Sequence, residues 1–206
     1  MPLLTTQSAK GYGFGQLLQS SAIASYESIQ TVSVTSGTSA TLVFSSIPQT
    51  YKHLQIRGYT ASAYNNSGTG ASAVAVQFNT ATGSGRTDYS RAHVQGNGSS
   101  PSGVTATSTW GGMYENAWNN VNSTGTYSFS PVLIDIYNYS STTLNKTAIM
   151  WSGFETSAAS NNRHIRYGGF AWYNTDAINS ITFDQNSWIG DGFFRAGSKL
   201  SLYGVK

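Results

Sequence analysis

The chain has no cysteine, which removes disulfide staples, thiolate metal sites and cysteine nucleophiles together. Charge is nearly as scarce: Asp, Glu, Lys and Arg make up 9% of the 206 residues, against roughly 25% in an ordinary soluble domain. Eight carboxylates leave few pairs for acid-base chemistry, and the eleven Lys and Arg are scattered without a basic run. That distribution argues against a nucleic-acid partner despite the net charge of +3, because such affinity comes from clustered cations. No stretch approaches the ~20 consecutive apolar residues of a membrane-spanning helix. Residues 1 to 26 also lack the basic and continuous apolar regions of a signal peptide, so neither membrane insertion nor signal-directed secretion is expected.

Familiar catalytic signatures are missing as well. There is no G-x-S-x-G elbow, H-E-x-x-H helix or Walker loop. "GYGFGQ" at 11 to 16 fails as a dinucleotide fingerprint because Gln16 stands at the third glycine position and no strand pattern precedes it. His53, His93 and His164 fall in three separate strand candidates, and His164 with Arg163 and Arg166 reads better as a solvated strand face than as an anion site. "DQNSWIGDG" at 184 to 192 has Trp188 where a calcium loop needs its third oxygen ligand. Five N-x-S/T triplets are what this composition yields by chance. No catalytic residue, metal ligand or cofactor site is assigned.

What the chain does have is glycine (22), tyrosine (13) and abundant Ser, Thr and Asn, a composition of short strands and turns. From residue 28 onward, period-two patterns and short apolar runs between Gly, Asn, Ser and Pro predict strands at 28–35, 40–46, 52–60, 72–79, 89–95, 126–139, 145–154, 163–173, 178–184 and 198–205. Long polar connections are expected at 61–71, 96–106 and 156–162. Pro131, inside one strand pattern, marks an edge, a bulge or a change of pairing, since proline cannot donate to the ladder. The fold class is therefore all-β: an antiparallel β-sandwich over residues 27–206, a jelly roll before a plainer Greek key, preceded by an extended N-terminal arm at residues 1–26.

Two segments stand out as candidates for binding. In the arm, Gly11, Gly13 and Gly15 alternate with Tyr12 and Phe14, joining a flexible backbone to rings that lose little entropy on docking. In "WGGMYENAWNN", Trp110, Tyr114 and Trp118 are interleaved with Gly and with Asn119 and Asn120. That segment reads as an outward-facing loop, of the kind sugar faces and protein interfaces share. Asn65 to Gly70 is expected to face outward beside it. The bland reading of the aromatic segment is that its rings cover the end of the sandwich.

The phrases "FSSIPQTYKHLQIRG" (44–58), "FNTATGSGRTDYS" with "GNGSS" (78–90 and 96–100), "IDIYNYSSTTLNKT" (134–147) and "LSLYGVK" (200–206) together resemble small structural proteins and fibre-terminal domains of tailed bacteriophages, especially those of cyanobacteria and other aquatic hosts. The resemblance runs in order through residues 28 to 206. It implies a virion protein on the particle exterior without enzymatic activity. Jelly rolls in repeated copies commonly trimerise, so a homotrimer is expected, with other tail or capsid proteins as partners and a host surface glycan as a candidate ligand. A short tail fibre or receptor-binding component is the leading expectation, and a capsid decoration protein the alternative. From other classes come a free lectin-like module and a glycan-cleaving enzyme using Glu115 with Asp135 or Glu155.

Overall fold

A computed structural model of the chain describes residues 26–64, 70–79, 88–96, 100–108, 112–120, 129–155, 163–185 and 192–206. Among them there is no helix. Fourteen strands follow one another: β1 (Tyr26–Ser33), β2 (Thr38–Ser39), β3 (Thr41–Phe44), β4 (His53–Tyr64), β5 (Gly70–Phe78), β6 (Tyr89–Gly96), β7 (Pro101–Ser108), β8 (Gly112–Asn120), β9 (Ser130–Tyr137), β10 (Lys146–Glu155), β11 (Arg163–Trp172), β12 (Ile181–Asp184), β13 (Gly192–Arg195) and β14 (Lys199–Val205). Tyr26, counted with the arm on sequence grounds, is the first residue of β1.

The strands form two sheets. The first has the order β1-β14-β4-β9-β10-β11-β6-β7 and is antiparallel throughout. The second runs β3-β12-β5-β8-β4-β13-β2 and is antiparallel except where β4 meets β8. An antiparallel sandwich is thus what forms, with one parallel pairing that strand patterns did not indicate.

Alternation builds the core. In β9, positions 130, 132, 134 and 136 are buried while their neighbours are more open. β14 repeats the pattern with Leu200 and Leu202. The buried faces of the two sheets meet in one cluster, with Leu54, Ile56, Ile134, Met150 and Leu202 from the first sheet and Phe44, Val74, Val76, Phe78 and Phe183 from the second. Phe78 sits 5.6 Å from both Phe170 and Trp172, ring centre to ring centre. The polar tips of the buried rings find partners: Trp172 Nε1 donates to Asp88 at 2.9 Å, and the Tyr89 hydroxyl accepts from the Phe78 amide at 2.9 Å.

β4 belongs to both sheets. Residues 53–60 pair with β14 and β9, and residues 61–64 with β13 and β8, so the chain turns a corner between layers inside one strand. β14 releases β4 at Tyr59 and β13 takes it up at Ser62. In that gap the buried Ser198 hydroxyl accepts from the Ala61 amide (3.1 Å) and donates to the Ala61 carbonyl (3.3 Å), supplying the pairing the ladder omits.

Two expected connections are partly strand. Residues 61–64 continue β4, and Pro101–Ser108 form β7, which pairs with β6 along its whole length. β7 was hidden because residues 101–105 are all exposed and carry no buried-face pattern. Pro131 behaves as expected: pairing with β10 ends at Val132, while pairing with β4 continues through Ser130.

Candidate functional site

Register fixes which residues share the outer face of the first sheet. Partners directly opposite in an antiparallel ladder point the same way, so each row can be followed from strand to strand. One row runs Arg57, Leu133, Trp151, Tyr167, Val94, Gly103; in the next, Tyr59 faces Pro131, and beyond the end of the β9–β10 ladder Gly153, Ile165, Gly96 and Pro101 continue. A third runs Gln55, Asp135, Ile149, Gly169, Ala92, Thr105.

The face divides in two. On β4 and β14 it is polar and aromatic: the Arg57 guanidinium lies 4.6 Å from the centre of the Tyr26 ring and 5.4 Å from that of Tyr203. Arg57 Nε donates to Gln55, whose Nε2 donates to Asp135 at 2.5 Å. Beyond Asp135 the charge stops. From β10 across β11 and β6 to residue 105 of β7, no outward position in these rows is Asp, Glu, Lys or Arg.

In place of charge there are large apolar side chains left in solvent: Ile165 is 73% exposed, Trp151 57% and Val94 57%, with Tyr167 and Ile149 also open. Trp151 and Tyr167 meet edge to face with ring centres 5.2 Å apart. These side chains stand up as a ridge. Beside it Ala92, Gly103, Thr105, Ile149 and Gly169 form a groove of about 510 Å³, and on the other side Pro131, Leu133 and Gly153 border a smaller one of about 350 Å³. At such exposures the apolar surface is on the order of 500 Å². That equals the largest patch an ordinary monomer shows, and such patches usually mark contact sites.

Sequence reasoning did not single out this face. Its signal was present: "AIMW" in β10 and "YGGFAW" in β11 are apolar at successive positions, which in a sheet means that both faces take apolar residues.

The expected sites lie elsewhere. Gly11, Tyr12, Gly13, Phe14 and Gly15 are outside the described residues, as are Trp110 and residues 65–69. The segment expected as a loop is a correction: Tyr114, Trp118, Asn119 and Asn120 belong to β8, paired with β5 on one side and β4 on the other. Tyr114 stands opposite Val74, a core residue, and Trp118 opposite Gly70. Flanking strands impose this conformation, which the polar, glycine-containing sequence did not suggest.

The chemistry candidates fall on different strands. Glu115 is in β8 opposite Ala73, whereas Asp135 is on the outer face of the first sheet and Glu155 is in β10 opposite Arg163. His53 and His93 occupy opposite faces of that sheet, His53 packing edge to face on Tyr137 with ring centres 5.0 Å apart. Arg166 is buried, not solvated, and donates from Nη2 to Gln95 at 2.5 Å. Among the described residues no cluster of His, Asp and Glu could hold a metal ion. Compared with protein-family models, curated proteins and solved structures, the chain matches none.

Proposed function

We propose that this chain is a non-enzymatic structural protein of the exterior of a tailed-bacteriophage particle, present in repeated copies with a homotrimer as the unit. It consists of a sandwich in the jelly-roll arrangement and an N-terminal arm that joins it to other virion proteins. One observation carries the reading: a stretch of sheet face across β10, β11 and β6 whose three central rows carry no charged residue and present Trp151, Ile165 and Val94 to solvent, a surface suited to protein contact. The resemblance of residues 28–206 to phage structural and fibre-terminal proteins supports it.

Placement on the tail, as a short fibre or receptor-binding component touching a host glycan, is the leading version. Decoration of the head is the second; Gly112–Asn120, which carries Tyr114 and Trp118, is a paired strand and not a loop. Immunogold labelling of intact particles with antibody against residues 28–206 tests both. Gold at the tail fits the first version and gold over the head fits the second. Unlabelled particles from cells that make the protein overturn the proposal.

A further inference from the structure

We propose that the uncharged half of the first sheet's outer face is covered by a second copy of this chain, the ridge of Trp151, Tyr167 and Ile165 of one copy entering the groove over Gly169 of the next. The inference rests on reading that face as a protein contact, and it names the partner.

Chemistry narrows the occupant first. A nucleic acid, an anionic membrane or an acidic peptide gains affinity from cations, and the three outward rows through Ile149, Trp151 and Gly153 contain none from β10 to β7; the charge next along this face is the opposed pair of Glu155 and Arg163. What such a face prefers is another uncharged, largely apolar surface. The chain supplies one, since only 9% of it is charged and, among the described residues, this same face gathers the large apolar side chains Val94, Ile149, Trp151, Ile165 and Tyr167 in solvent.

Shape narrows it further. A lone ridge would need a foreign groove, yet here ridge and groove stand side by side. The groove, about 510 Å³, is floored by the small residues Gly169, Ala92 and Gly103, leaving room for the rings that the neighbouring row raises. Gly169 is held to that size, because a Cβ there would come within 2.8 Å of the Ala148 carbonyl oxygen. Sheets packed face to face sit about 10 Å apart with interdigitating side chains, a spacing that a ridge filling a groove satisfies.

Area is consistent with a real contact. About 500 Å² from each copy, plus the groove walls and the exposed strand β7, reaches the lower end of specific interfaces, which bury roughly 1,200 Å² in total. Rings at the centre and uncharged small residues around them are the composition expected of the part that holds.

The test uses the full chain in solution. Light scattering coupled to size-exclusion chromatography should give a mass that is a multiple of 22.0 kDa. Trp151→Lys and Ile165→Asp should each weaken self-association by roughly thirtyfold or more while leaving the far-ultraviolet circular dichroism unchanged. Val43→Asp, which alters an exposed apolar residue on the second sheet, should leave the mass as it was. A photo-crosslinking benzoylphenylalanine in place of Trp151 keeps the question open to measurement if the charged variants misfold, and it should join two chains at residues 89–108 or 163–172. Any of three results overturns the proposal: a 22.0 kDa unaltered chain at all concentrations, folded face variants that keep the oligomer, or crosslinks that fall within one chain, including onto its own residues 1–25. All are read on purified protein, so they are separable from unlabelled particles.

Discussion

Glu27 shows how single residues tie the two ends of the described chain together. Its carboxylate receives the Tyr51 hydroxyl at 2.8 Å and the Lys206 ammonium, and Tyr51 lies over Gly204, where a Cβ would come within 2.3 Å of the ring. The hydrogen bonds from Lys206, then from Tyr51, hold the Glu27 carboxyl below its usual value of 4.5, while the same bond raises the Tyr51 phenol. A depressed carboxyl pKa favours the folded state wherever the unfolded chain would bind more protons. This contribution is complete above 4.5 and is lost as pH falls through the lowered folded value. The melting temperature of the unaltered chain should therefore drop more steeply below pH 4.5 than that of Glu27→Gln, and parallel curves for the two would remove Glu27 from the acid response. Tyr139 and Lys146 act similarly nearby. Tyr51 N donates to the Tyr139 hydroxyl at 3.2 Å, and Tyr139 donates to the Pro48 carbonyl. Lys146 is buried with its ammonium on the carbonyls of Leu144 and Asn174, and burial lowers its pKa. Tyr51, Tyr139, Lys146 and Lys206 lie within the phrases that carry the resemblance, so those phrases describe internal bonding more than what the surface contacts.

At the scale of strands, the corner in β4 makes a sharp prediction. The two bonds from Ser198 to Ala61 replace the ladder between the end of β14 pairing and the start of β13 pairing. Ser198→Ala would leave a buried amide and a buried carbonyl without those partners, a cost of about 1–3 kcal/mol. Denaturant unfolding should show a lower midpoint at unchanged slope; an unshifted midpoint would mean that water or a neighbour satisfies the corner. The same elements show what a sequence can disclose. All ten strands expected from alternation or apolar runs are present, because each packs apolar residues on one face or on both and so writes that packing into its sequence. β2, at two residues, is too short to show a period, and β13 reads GFFR, two successive aromatics without alternation. β7 and β8 follow another rule: "PSGVTATS" and "GMYENAWNN" become strands because β6, β5 and β4 offer them edges, and pairing of that kind is tertiary. The outer face was half legible. Runs such as "AIMW" say that both faces are apolar, but only the assembled sheets show which face the second layer leaves uncovered.

For the molecule as a whole, the described residues close their own core. The cluster draws on strands from β1 to β14, and β1 is held by pairing with β14 from Tyr26 to Ser33. Regular pairing thus reaches back to Tyr26, and the proposal assigns attachment to the arm that carries Tyr12 and Phe14. If the sandwich face gathers copies and the arm joins them to the particle, the two properties should separate. A chain lacking residues 1–20 should keep its melting temperature to within a few degrees, since a loss of 1 kcal/mol shifts a domain of this size by about 2–4 °C, and should keep its oligomeric mass. In a host infected with phage deficient in the protein, it should fail to co-sediment with particles while the full chain does. Multivalency sharpens the outcome: linked copies bind through several arms at once, so removing every arm abolishes attachment where weakening one contact would only reduce it. A truncated chain that no longer folds would place the arm in the core instead. One that still joins particles would move the attachment surface onto the sandwich, with the outer face of β9, β10 and β11 the first place to look.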